Sequence, residues 1–342
     1  MITYAAARTE FLEAASRAGA ELCSYPHPRA GPDDQALAVD VARLGSREAP
    51  AQLVLVSGVH DVEGYAGSMI QAGLVEAMPA ASGFAIVFVY GVNPYGMANY
   101  RRVTEKGVDL NRNFIDFSGP LPVNEAFDEE FARLLTPAAS VKADSDRALL
   151  QRIAQNPREM RAAIAGGQYA YPYSPSYGGK HATWARKNFE IIVGKELTAA
   201  SQICLIDFHT GLGNYGRGQF IGSHWASAEE RRFERNIWGD DYVEGGDPGT
   251  VSYVVSGDLL SGLRRLMPQA EVAAAAHEFG TLAEQAVLDA LRIDHSAALA
   301  NARDEQCKKA MFDAFMSCGA SWKRDVLEQA MDGVEKAARW LS

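Results

Sequence analysis

Four stretches of the chain are almost continuously apolar: "AQLVLVSG" (51–58), "GFAIVFVYGVNP" (83–94), "ASQICLIDFHTGLG" (200–213) and "EVAAAAHEFGT" (271–281). Each is short and ends at Gly or Asn-Pro, the pattern of a strand buried on both faces. Between the first two lies "GSMIQAGLVEAM", with the spacing of a helix. Strand, helix, strand in this order predicts a mostly parallel sheet with helices on its faces. "AELCSYPHP" and "ALAVDVARLG" add two strands joined by the turn "PRAGPDD". The first twenty or so residues read as a helix, with Phe11, Leu12 and Ala15 at helical spacing. From "DFSGPLPVNEAF" to about Lys195 the pattern is helical, broken by an aromatic loop. In the C-terminal stretch Val326, Ala330, Val334, Ala337 and Leu341 keep a three-to-four spacing. No linker divides the chain. The expectation is one α/β domain over 1–342, a mostly parallel mixed sheet flanked by helices, with a core at about 51–285 and C-terminal helices from about 284 to 342.

Composition narrows the functional classes. The 342 residues carry a net charge of −10, which disfavours nucleic acid, whose binding needs a basic surface. It gives no support for an anionic membrane. No apolar run approaches the ~18 residues of a membrane span. The start of the chain lacks the charged head and apolar segment of a secretory signal, so a cytoplasmic location is expected. Cys23, Cys204, Cys307 and Cys318 are scattered without a CxxC and are read as free thiols. Nothing in the pattern fixes an oligomeric state.

The candidate chemistry sits where the apolar runs end. In "SGVHDVEGYAGS", His60 and Glu63 stand three apart just after the first strand. Alone, a His and a Glu at this spacing are a weak signal. At the C-terminal end of a buried strand, where open α/β sheets place their sites, they gain weight. Three apart in the first turn of a helix, an imidazole and a carboxylate converge on one face. Such N and O ligands suit Zn²⁺, which needs a third protein ligand and leaves a position for water. His209, closing another buried strand, is the candidate.

Two further groups follow. "GVNPYGMANYRRVTEKGVDLNRNF" gathers Asn93, Arg101, Arg102, Asp109, Asn111 and Arg112 after the second strand. An Arg there can hold a carboxylate by two parallel hydrogen bonds. In "AAAAHEFGT", Glu278 is an acid in a run that should be buried, costly unless paired or functional. Neighbours on a strand face opposite ways, so only one of His277 and Glu278 reaches the site. Glu278 is taken as the base, with His277 as fourth ligand or base left as the alternative.

Together, the ordered blocks "GVHDVE", "NPYG…RRVTEKGVDLNRNF", "IDFHTG" and "HEFGT" resemble those of the zinc carboxypeptidases of the funnelin superfamily, and within it a bacterial subgroup of predicted metallopeptidases. The resemblance implies that His60, Glu63 and His209 hold one Zn²⁺ and that Arg102, nine residues before Asn111, polarises the scissile carbonyl. It further implies that Asn111 and Arg112 hold a terminal carboxylate and that Glu278 is the general base. A mobile tyrosine is also implied; Tyr253 is preferred, with Tyr242 and the 169–177 cluster open. Asp61 and His277 depart from the family pattern. Asp61 either tunes the metal or points to solvent. "GGQYAYPYSPSYGGKHATW" reads as a packed loop or a rim over the pocket, with His181 a further candidate contact. The implied activity is metal-dependent hydrolysis of an amide beside a free carboxylate in a small peptide. The alternatives are a deacylase of N-acyl amino acids, like aspartoacylase and succinylglutamate desuccinylase, and a non-catalytic metal-binding protein.

Overall fold

The computed structural model describes residues 1–78, 83–247 and 252–342. Its strands are β1 (Glu21–Pro26), β2 (Ala38–Leu44), β3 (Ala51–Ser57), β4 (Ala85–Tyr90), β5 (Gln202–Tyr215), β6 (Gly218–Gly222), β7 (Tyr242–Glu244) and β8 (Glu271–Gly280). They form one sheet in the order β1-β2-β4-β3-β5-β8-β6-β7. The four apolar runs are its parallel centre, β4-β3-β5-β8. The antiparallel pairs are β1 with β2, β2 with β4, and β6 with β8. Every residue of β3 and β4 is buried, as a parallel centre covered on both faces requires.

Alternation along the strands feeds two cores. Leu53, Leu55, Phe88 and Phe208 face helices Tyr4–Arg17, Gly64–Ala77 and Ala320–Leu341. Val54, Val56, Val87 and Leu205 face helices Trp184–Glu196 and Leu259–Leu266. The helices Glu129–Leu135, Lys142–Gln155 and Pro157–Gly166 build a separate small core around Phe131, Leu149, Ile153 and Met160.

Two strands are absent from the sequence reading. β7 has three residues and β6 five, two of them Gly, so neither shows a clear period. Their pairing is set by tertiary context, with the buried Glu234 side chain accepting the Ala274 N–H (3.1 Å) where β8 runs past the end of β6. The four cysteines are free. Among the described residues no helix is long and apolar enough to cross a membrane.

The C-terminal helix Ala320–Leu341 buries Trp322, Val326, Ala330, Val334, Ala337 and Leu341, the stripe its spacing implies. Trp322 is fully buried, and its indole N–H donates to the Gly280 carbonyl (2.9 Å) at the end of β8. Trp322→Ala would leave a large void and strip the Gly280 carbonyl of one of its two hydrogen bonds, the other coming from the Gly216 N–H (2.9 Å). The expected cost is about 3–5 kcal/mol, read as a lower urea midpoint at unchanged slope.

Candidate metal centre

Parallel strands deliver their C-terminal ends to one rim, and three of them carry the site. β3 ends at Ser57 and turns at Gly58, whose φ is 72°. A Cβ there would lie 2.9 Å from the Gly91 Cα, so this turn can approach the one after β4 only as glycine. His60 lies in that turn and Glu63 is the N-cap of helix Gly64–Ala77. The pair therefore precedes the helix instead of occupying its first turn, and converges because the turn is tight. β5 supplies His209, and β8 sets Glu278 directly opposite it in register.

Glu63 is the hub. Its Oε1 lies 3.2 Å from His60 Nδ1 and its Oε2 lies 2.9 Å from His209 Nδ1. Arg102 Nη1 donates to Oε1 and the Thr210 N–H to Oε2 (3.1 Å). The ligand atoms of His60, Glu63 and His209 all fall within 4.8 Å of one another, and all three residues are buried. Each imidazole is held from behind: His60 Nε2 meets Asp109 Oδ1 at 2.9 Å and His209 Nε2 meets Asp207 Oδ2 at 2.7 Å. A carboxylate only accepts, so each Nε2 carries the hydrogen. Both Nδ1 atoms then face the Glu63 carboxylate, a contact made favourable either by a proton on Nδ1 or by a cation set among the three groups. The donor set and the carboxylate behind each His fit a divalent metal.

The charges confirm how tightly the groups are coupled. Burial alone would raise the Glu63 carboxyl, but His60 and Arg102 hold it below its ordinary range. Burial opposes charge on His209, yet Asp207 and Glu63 keep it well above the usual imidazole range. Burial, then the nearby Glu63 carboxylate, push Glu278 up to about 7, while the Leu212 N–H donates to its Oε1 (2.9 Å).

One cleft of about 210 Å³ collects His60, Glu63, Arg102, Asn111, Arg112, His209, Tyr253 and Glu278. Arg102, not Arg101, faces it; Arg101 turns away to Asp294 (3.1 Å). Arg112 is buried and donates only to backbone carbonyls, those of Ala165 (2.8 Å) and Asn111 (2.6 Å). Among the described residues no carboxylate lies within ion-pair distance of it, and Asp109 and Asp258 act on it only through longer-range charge. A buried guanidinium whose direct partners are neutral carbonyls can still form a charge-assisted pair with an anion. The Asn111 carbonyl oxygen Oδ1 accepts the Leu259 N–H (2.8 Å), leaving its NH₂ as the donor available to the cleft. Tyr253 lines the cleft with its hydroxyl on Glu284 (3.3 Å), whereas Tyr242 is buried against Glu234 (2.6 Å), outside the cleft lining.

Other candidates fall elsewhere. Asp61 faces neither solvent nor the ligands; it is buried and accepts from Asn93 Nδ2. A Cβ on Gly96 would overlap its carboxylate, so Gly96 makes its room. His277 lies on the opposite face, stacked on Phe220 at 3.8 Å, which excludes it as ligand or base. The aromatic loop does both things at once. Pro175 and Ser176 line the cleft, while the Tyr169 hydroxyl donates to the Arg112 carbonyl (2.7 Å) and steadies that residue. His181 does not line the cleft. Asp109 and Asp207 are the residues whose part the sequence reading passed over. The signal for Asp207 was present, an acid in an apolar strand two positions before His209 and so on the same face.

A protein-family model described as "Protein of unknown function (DUF2817)" matches residues 1–329. The chain belongs to this family. No curated protein matches this DUF2817 chain in sequence. Among solved structures it is similar to carboxypeptidase A from Helicoverpa armigera, at TM-score 0.56 and 12% identity, over 100% of this chain and 73% of that one. It is similar also to bovine thrombin-activatable fibrinolysis inhibitor, solved with tick carboxypeptidase inhibitor, at TM-score 0.54 and 12% identity, over 99% and 97%. These likenesses establish that the DUF2817 chain has the carboxypeptidase fold.

The buried His277 gives a test of the packing beneath the site. Burial, then Lys336, push its pKa down to about 3, against about 6.5 for a free imidazole. Between those values the unfolded chain binds a proton that the native chain refuses. Stability is therefore intact above about pH 6.5 and falls by up to about 1.4 kcal/mol per unit as pH drops towards 3. His277→Leu should remove this part of the slope. Urea midpoints from pH 7 to 4 would converge towards a flatter line in the variant, and parallel lines would refute the burial account.

Proposed function

We propose that this protein is a zinc-dependent carboxypeptidase that hydrolyses an amide bond next to a free carboxylate. The observation that supports it is one cleft holding a three-ligand metal set, a carboxylate facing that set, and two arginines, one without an acidic partner. His60, Glu63 and His209 would hold the metal, with Asp109 and Asp207 fixing the rings. Bound there, Zn²⁺ would lower the pKa of water and polarise a carbonyl. Glu278 takes a proton from water and returns it to the leaving nitrogen. Arg102, close to the ligands, supports negative charge on the former carbonyl oxygen, a role whose loss typically costs ~10²–10³ in rate. Arg112, with the Asn111 amide, binds the terminal carboxylate and so orients the bond. Tyr253 closes on the bound substrate from the rim.

The residues predict a division among variants. Purified without added metal, the wild type should contain about one zinc per chain by plasma mass spectrometry. His209→Ala should lose it, and Glu278→Gln should keep it while turnover falls by at least about 10³-fold. Near-normal turnover in Glu278→Gln would refute the base assignment.

Recognition of the carboxylate tests the role given to Arg112. C-terminally free peptides should be cleaved and their amides should not. Arg112→Ala should raise KM for the free acids about 100-fold, consistent with loss of a charge-assisted pair. A panel that also contains N-acyl amino acids tests the deacylase alternative, and zinc binding with no hydrolysis across the panel would leave only a metal-binding role.

A further inference from the structure

Arg102 reaches the cleft from residues 99–102, a short irregular stretch with no strand or helix of its own to fix it. The backbone there is strained. Tyr100 has a φ of 51°, in the left-handed region that a residue with a side chain enters only when its surroundings impose it. Two local bonds help, from the Tyr100 N–H to the Met97 carbonyl (3.1 Å) and from the Arg101 N–H to the Gly96 carbonyl (2.9 Å). The rest of the hold comes from far along the chain. Asp294, on helix Glu284–Leu299, is 1% exposed and does not line the cleft. Its Oδ2 accepts from Arg101 Nε (3.1 Å) and its Oδ1 from Arg303 Nε (2.6 Å). Arg303 in turn donates from Nη2 to the carbonyls of Asn99 (3.0 Å) and Tyr100 (3.2 Å).

One buried carboxylate therefore holds the stretch twice, by the Arg101 side chain and, through Arg303, by the main chain. The hold continues into the metal centre. The Arg101 carbonyl accepts the Val62 N–H (3.2 Å), and Val62 stands between His60 and Glu63. From there the Arg102 guanidinium meets Glu63 Oε1 and comes within 3.5 Å of Asp109. A buried acid between two arginines is a poor way to stabilise a fold, because apolar packing does as well or better. What it supplies is direction, since an ion pair and its hydrogen bonds are met in few orientations.

We propose that Asp294 is a positioning residue that, through Arg101 and Arg303, sets Arg102 against the reacting carbonyl. This inference rests on the carboxypeptidase reading and adds to it a residue that touches neither substrate nor metal. Without the Asp294 carboxylate, the 99–102 backbone relaxes from its left-handed turn and carries Arg102 with it. A displacement of about 1 Å imposed from far away is enough to cost ~10²-fold in rate. The metal ligands keep their own carboxylates, Asp109 and Asp207, so the metal stays.

The test is a double-mutant cycle on zinc-loaded protein, with a C-terminally free peptide as substrate. Asp294→Asn, close in shape but without the charge, should lower kcat about 10–100-fold and leave KM within about twofold. Its zinc content should match that of wild type. Arg102→Gln removes the group that Asp294 places. In that background Asp294→Asn should change kcat by about twofold or less. A merely structural role would lower kcat equally in both backgrounds. Asp294→Glu, which restores the charge, should recover part of the rate. If Asp294→Asn does not fold, Arg101→Gln breaks the brace on the loop side alone, leaves Asp294 paired with Arg303, and should behave the same way in the cycle. Unchanged kcat in the folded variants, or equal losses with and without Arg102, would overturn the assignment and leave the carboxypeptidase reading intact. Zinc-loaded wild type that cleaves no free-acid peptide would refute that reading, and this one with it.

Discussion

A carboxylate buried between two imidazoles cannot stand without compensation, and Glu63 imposes that constraint on everything around it. Two histidines, an arginine and a backbone N–H converge on its two oxygens. Each histidine in turn needs its own carboxylate, and Asp109 and Asp207 supply them from different elements. The cluster is a nested set of opposite charges taken out of water. Such sets are costly when any member is missing. This explains why the turn at Gly58, the strand register of β5 and β8, and the loop through Asp109 all have to be right at once.

The sheet is the device that makes them right. Parallel strands β3, β5 and β8 end on one side, so residues remote in sequence arrive together without long side chains. Strand alternation then sorts function from packing. Glu278 faces the cleft, and His277 beside it is stacked among Phe220 and Phe279. The helical segment before β5 adds a wall, contributing Ile153, Ile164 and Pro175 to the cleft. The helix after β8 packs on that segment and continues the wall with Val287, Leu288 and Leu291.

Much of this was legible in the chain. Unbroken apolar runs mark the four central strands, because a strand covered on both faces has no polar side. Residues at their ends mark the site, because a strand end is where a polar side chain can reach a rim. What was not legible depended on distant partners. β6 and β7 are too short to carry a period. Asp61 reads as tuning a metal or facing solvent, and only Gly96, far along the chain, provides its buried niche. Asp207 hides inside a run whose apolar character dominates.

The hydrogen bond from Trp322 to the Gly280 carbonyl has a consequence in time. It clamps the strand bearing Glu278 with a helix from the far end of the chain, and non-local pairings of this kind form late. During synthesis the strands with His60 and His209 emerge first, and the acid and its clamp last. A cleft built in this order gains its acid only after the His60 and His209 strands have been made, so the site is completed by the last strand and the helix that fastens it.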